Sequence, residues 1–124
     1  MRNYRELNVW EKSHALTLAV YQATRSFPKE ELFNLIPQVR QAAFSIPANL
    51  AEGCGCDSQA ELSHFSLLAM GSANELEYHL LLCHDLHYLD DPAYEALSKQ
   101  LVEVKKLLAA FIRTIRPVQG PGSH

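Results

Sequence analysis

The chain has 124 residues, 48% of them hydrophobic, a formal net charge of −3 and three cysteines. That length fits one domain that buries roughly two thirds of its unfolded surface without a disulfide or metal staple. The negative balance argues against strong non-specific nucleic-acid binding, because that affinity comes from Lys and Arg displacing condensed counterions.

The opening residues Met1-Arg2-Asn3-Tyr4-Arg5-Glu6 are charged and no short apolar run follows them, unlike a secretory leader. No stretch reaches the ~20 uncharged residues of a membrane span. An odd number of cysteines without an export signal reads as reduced thiols, so a cytoplasmic protein is expected.

The apolar residues are mostly Leu and Ala, with few Val and Thr, a composition that favours helices. A first helix is predicted from about Asn8 to Ser26, with Val9, Leu16, Val20, Ala23 and Phe27 on one stripe. Phe27-Pro28 ends it, since a pre-proline residue is biased out of the helical region. In the second helix Ile36, Val39, Ala43, Ile46 and Leu50 alternate steps of three and four, the seam of a closely packed bundle. Asn34 is placed as its N-cap and Gly53 as its C-terminal glycine. Pro47 falls inside the run, where it removes one backbone hydrogen bond and is expected to bend the helix.

Ser58-Gln59-Ala60-Glu61 forms a capping box that opens a third helix reaching His87, about 45 Å at 1.5 Å per residue. Its leucines occupy most of the circumference, so this helix needs cover on more than one side. The fourth helix starts at Asp90-Asp91-Pro92, runs through Leu97, Leu101, Val104, Leu108, Phe111 and Ile115, and stops at Pro117. Residues 117–124 lack periodicity and are expected to be a disordered tail after a single domain spanning 1–116. Four amphipathic helices with short connections give an all-α, up-down-up-down four-helix bundle. The surplus apolar surface predicts self-assembly.

Charge is unevenly placed. No Lys or Arg occurs between Gln41 and Ser98, so the third helix is purely acidic, while Lys99, Lys105, Lys106, Arg113 and Arg116 gather on the fourth. With Arg2 and Arg5 at the same end of an up-down bundle, and with Arg40, these are the candidate nucleic-acid contacts. The alternative is a cationic last turn that complements its own helix dipole and the acids of the third helix. Asn49, Glu52, Ser72 and Glu75 are polar residues on otherwise apolar segments. They form either a pocket at the bundle or subunit axis or a hydrogen-bonded network fixing helix 2 on helix 3, with Gly71, Ser72 and Ala73 permitting close approach.

No constellation specifies catalysis. Glu61-x-x-His64 lacks the second copy and the inward glutamates of a di-metal bundle. His84, Asp85 and His87 read as exposed helix-end groups rather than a built metal site. Cys54-Gly55-Cys56 is too short for the usual Cys-x-x-Cys chemistry, and Cys83 reads as a core residue. No triad spacing, phosphate-cradling loop or nucleotide fingerprint appears, so neither an enzyme, a cofactor, a metal nor a small-molecule substrate is expected.

Leu7-Asn8-Val9-Trp10-Glu11-Lys12, the long run from Gln38 through Ala42-Ala43-Phe44-Ser45-Ile46-Pro47-Ala48-Asn49-Leu50-Ala51-Glu52-Gly53, and Gly71-Ser72-Ala73-Asn74-Glu75-Leu76-Glu77 closely resemble the bacterial family of 23S rRNA intervening-sequence proteins. The likeness extends from about Tyr4 to Ile115. It implies a left-handed four-helix bundle, a homopentamer and no catalysis. A related branch, the accessory variability proteins of diversity-generating retroelements, binds nucleic acid and a reverse transcriptase as a basic pentamer. This chain departs from the pattern at Arg40-Gln41, where many members carry two arginines, and at Cys54-Gly55-Cys56-Asp57, where they carry a basic residue. Two phosphate contacts are thereby missing. The leading expectation is a non-catalytic oligomeric scaffold for RNA or a ribonucleoprotein. The alternatives are a docking module for proteins alone and, third, a metal-binding bundle.

Overall fold

The computed structural model describes residues 2–116; the tail expected over 117–124 lies outside the described residues. Four helices follow one another, α1 (Asn8–Thr24), α2 (Leu35–Cys54), α3 (Gln59–Asp85) and α4 (Asp91–Ile115), with single 3-10 turns at Tyr4–Glu6 and Lys29–Glu31. Each helix packs on its sequence neighbours and α4 closes back on α1. Short connections permit only antiparallel neighbours, so the up-down-up-down bundle is as expected. The N-terminal segment, the α2–α3 turn and the end of α4 therefore share one end of the bundle.

The seam residues read from the sequence form the core. Leu16, Val20, Val39, Ala43, Ile46, Leu50, Leu76, Leu101, Val104 and Leu108 are all buried in one cluster. Each large aliphatic side chain so enclosed contributes about 1.5–3 kcal/mol relative to exposure. A smaller cluster of Cys54, Leu62 and Ile115, with Tyr4, Leu7 and Phe111 against it, seals the end that carries the N-terminal segment.

Pro47 lies buried within α2, which runs unbroken from Leu35 to Cys54. Having no N–H, Pro47 frees the carbonyl of Ala43 one turn earlier. The hydroxyl of Thr17 on α1 stands 3.2 Å from that oxygen and 2.9 Å from the Ser13 carbonyl. A neighbouring helix thus supplies the donor that the proline withdraws.

Several predicted boundaries shift, each for a local reason. α1 ends at Thr24 rather than Ser26, because Phe27 turns back into the core and packs on Tyr88 with ring centroids 5.4 Å apart. Asn34 does not cap α2; its amide donates to the Glu31 carboxylate at 3.0 Å. Gly53 is not a terminal glycine but an interior position of α2, where an added Cβ would stand 3.0 Å from Cβ of Phe65 and 3.1 Å from Cδ1 of Leu62. That glycine is required by the close approach of α2 to α3.

The capping box at Ser58 is present, its Oγ accepting from the Glu61 amide at 3.0 Å and donating to the Glu61 carboxylate at 3.1 Å. α3 stops at Asp85, short of His87, which adopts a left-handed φ of 65°. The Tyr88 amide donates to the Cys83 carbonyl at 2.9 Å and the His87 amide to that of His84 at 3.0 Å. This is a Schellman ending with histidine where glycine is the usual residue. Asp90 then caps α4 by accepting from the Ala93 amide at 2.9 Å.

Candidate nucleic-acid interface

The predicted cations fall into three groups. Arg2 is held by its own backbone, its amide donating to the Cys54 carbonyl at 2.8 Å, and its guanidinium lies 5.8 Å from the centroid of Phe111 on α4. Arg5 sits 5.6 Å from the Tyr4 ring centroid on the same segment. Tyr4 in turn meets Trp10 edge-on at 4.9 Å, which clamps the N-terminal turn onto α1. Arg113 and Arg116 are exposed on the last turns of α4. The aromatic contacts thus bring Arg2 and Arg5 to the corner where α4 ends, as the up-down topology predicts. Among the described residues none of these four arginines has an ion-pair partner.

Arg40 does not join them. It lies on the early turns of α2, toward the opposite end, and its guanidinium covers the Tyr21 ring at 4.6 Å while Nε donates to Thr24 Oγ1 at 2.8 Å. Its guanidinium fixes α2 against α1, apart from the other arginines. Lys105 and Lys106 lie further along α4, away from the corner. Lys105 meets Glu77 of α3 at 3.5 Å, the pairing of α4 cations with α3 acids that the sequence offered as an alternative. Lys106 is exposed.

The polar set is not assembled into a network within the chain. Asn49 donates to the Ser45 carbonyl at 2.7 Å, one turn back on its own helix. Glu52 and Glu75 are exposed and Ser72 is half-buried. Among the described residues no hydrogen bond joins any two of the four. Of the small residues on α3, Ala73 is buried but Gly71 faces away from the core, so it does not mediate the approach to α2. His79 was not singled out by sequence reasoning. It is nearly buried, its Nδ1 has no hydrogen-bond partner, and its Nε2 stands 3.9 Å from Glu75. A single histidine in an apolar stretch gave no signal of this.

The arginine corner shares its end of the bundle with a group of acids. Glu52, Asp57 and Glu61 surround the α2–α3 turn, where burial, then a hydrogen bond to Glu61 and the charge of these acids, raise the Cys56 thiol above its ordinary pKa. Burial also raises the Cys54 thiol, opposed by the charge of Arg2. At the other end an open cleft of about 530 Å³ is lined by His84, Asp85, His87, Leu89, Asp90 and Asp91. There His84 is already engaged, bonded to Asp91 at 2.7 Å and stacked on Tyr94 at 4.3 Å. Among the described residues no three His, Cys, Asp or Glu side chains converge on a position for a metal ion, and no helix is long and apolar enough to cross a membrane.

A crystal structure of a protein of unknown function from the S23 ribosomal protein family of Bacteroides thetaiotaomicron is similar to this fold, with a TM-score of 0.78 and 27% identity over 85% of this chain and 95% of that one. Comparison with curated proteins gives no match. The sequence matches the family described as 23S rRNA-intervening sequence protein over residues 5–110. That span takes in all of α1, α2 and α3 and most of α4, the same helices that form the bundle and position its arginine corner, and the chain belongs to that family.

Proposed function

We propose that this chain is a non-catalytic scaffold of the cytoplasm that assembles with copies of itself, as a homopentamer, and presents its arginine corner to RNA or a ribonucleoprotein. The observation that carries this reading is the placement of Arg2, Arg5, Arg113 and Arg116 at one end of the bundle, free of ion pairs among the described residues even though the acids of the α2–α3 turn share that end. With a net charge of −3, affinity must come from a local patch rather than from the field of the whole molecule. Repeating the corner around an assembly multiplies phosphate contacts without any new chemistry, since linked sites bind with raised effective concentration. The family's name, which refers to 23S rRNA, supports a ribosomal RNA target. The free cysteines suit a reducing compartment.

The test is fluorescence anisotropy with structured ribosomal RNA fragments at low salt. Binding should weaken as salt rises, with each phosphate contact adding about 0.9 to the log–log slope for duplex. Arg113→Glu with Arg116→Glu should lower both affinity and slope. Absence of binding at micromolar protein in low salt sinks the RNA reading. A pulled-down protein partner that survives nuclease treatment would favour docking through proteins alone, for which the acidic α3 is the suited surface.

A further inference from the structure

α3 contains a residue that nothing in its own chain explains. Gly71 lies in the interior of a 27-residue helix, and a Cβ built there would meet nothing within 4 Å. A helix-interior glycine costs about 1 kcal/mol relative to alanine. Gly53 has a reason in the close contact with Phe65; Gly71 has none inside the subunit. The same outward stripe carries Leu67, Tyr78 and Leu81, which are 54%, 60% and 43% exposed. These residues follow helical spacing, so they form one outward band, interrupted at Gly71 and by the exposed Asn74.

The outward stripe of α4 has the opposite charge. It bears Lys99 and Lys106, neither ion-paired among the described residues, around Val102, which is 45% exposed, and Ala109, with one exposed acid, Glu95, at its start. α3 has no Lys or Arg at all. One face is apolar and acidic, the other apolar and basic. We propose that the outward face of α3 on one copy packs against the outward face of α4 on the next. This rests on the self-assembly reading above and specifies the surfaces that make it.

Symmetry fixes the register. Within the chain the level of α4 against α3 is set by Lys105 opposite Glu77 and by the groove in which Met70 and Glu77 face Ala109 and Val102. Copies in a closed ring are related by rotation without translation, so the same levels meet between copies. Tyr78 then lies level with Val102, Gly71 with Ala109, and Glu75 with Lys106. The glycine gap faces the smallest residue of the basic stripe, where two helices approach most closely. The two faces occupy neighbouring corners of the bundle, so each added copy turns the growing assembly instead of extending it in a line. Such a heterologous contact gives a ring when the successive turns complete a circle.

Light scattering coupled to gel filtration tests this on the full chain. Gly71→Leu should keep the helical spectrum and the thermal stability of the subunit, since the site is open, and yet lose assembly. Glu75→Lys and Lys106→Glu should each weaken assembly about tenfold, and the double variant should regain most of it, because each copy then offers the swapped pair to its neighbour. An oligomer whose mass is unchanged in Gly71→Leu and in both charge variants overturns the α3–α4 pairing while leaving self-assembly intact. A wild-type mass of 14.0 kDa at every concentration overturns both.

Discussion

Replacing Thr17 with valine exchanges a hydroxyl for a methyl of similar volume and leaves no cavity. What is lost is the buried hydroxyl donor that lies 2.9 Å from the Ser13 carbonyl and 3.2 Å from that of Ala43. That oxygen has no partner in its own helix because Pro47 stands four residues on. Stranding a buried carbonyl costs about 1–3 kcal/mol, and Thr17→Val should cost that much by equilibrium urea unfolding at fixed protein concentration. The decisive comparison is the same change in a Pro47→Ala background. There the restored backbone N–H bonds the Ala43 oxygen within α2, so the valine should cost far less. The double-mutant cycle should return a coupling of about 1–2 kcal/mol, well above the roughly 0.3–0.5 kcal/mol scatter of independent sites. Equal losses in both backgrounds would refute the view that α1 completes the hydrogen bonding of α2.

Four further outcomes follow from the local geometry. Gly53→Ala should destabilise by about 1–3 kcal/mol despite alanine's better helix propensity, since its methyl presses on the Cβ of Phe65; an unchanged urea midpoint would show the helices free to separate. His87→Gly should stabilise by about 1 kcal/mol, seen as a melting temperature raised by roughly 3–5 °C, because glycine takes the left-handed φ of the α3 ending without strain. Burial holds the Cys83 thiol up at about 11 against an ordinary value of 9.0. The unfolded chain therefore loses that proton first, and stability should fall as pH climbs from about 9 toward 11. Cys83→Ala should flatten this alkaline slope, leaving the part due to Tyr88, whose hydroxyl is raised by its bond to the Glu31 carboxylate. Thiol labelling of the native protein should reach Cys56 well before the buried Cys54 and Cys83.

The helices, their order and their core seams were readable because a three-four alternation of apolar residues has one physical solution in a compact chain. The capping box at Ser58 and the cap at Asp90 were equally plain, since local chemistry decides them. The misplaced features depend on groups distant in sequence. Asn34 turns to Glu31 rather than to α2 in a loop where Glu31 also accepts from Tyr88 at 2.8 Å. Gly53 looked like a helix end because glycine often is one, whereas here α3 crosses it. The candidate site divided in the same way. Arg2, Arg5, Arg113 and Arg116 lie at one end of the bundle because topology brings the N-terminal turn to the end of α4. Arg40 left the set because its partners Tyr21 and Thr24 belong to a helix whose facing residues no spacing rule identifies. The polar set was grouped by residue type, and type alone does not say that Glu52 and Glu75 point to solvent.

The Arg40 clamp has a consequence beyond removing one cation from the surface. α1 has no basic residue in its last turn, the place where a helix gains from positive charge against its exposed carbonyls. Arg25 follows as the C-cap, but the group that reaches a last-turn carbonyl is Arg40, whose Nη2 is 3.5 Å from the Tyr21 oxygen. The Thr24 hydroxyl that accepts from Arg40 itself donates to the Val20 carbonyl at 2.9 Å. The end of one helix is thereby terminated by another, and its fraying becomes a cooperative event. Amides in the last turn of α1 should exchange with solvent together with those of the first turns of α2, as one opening unit.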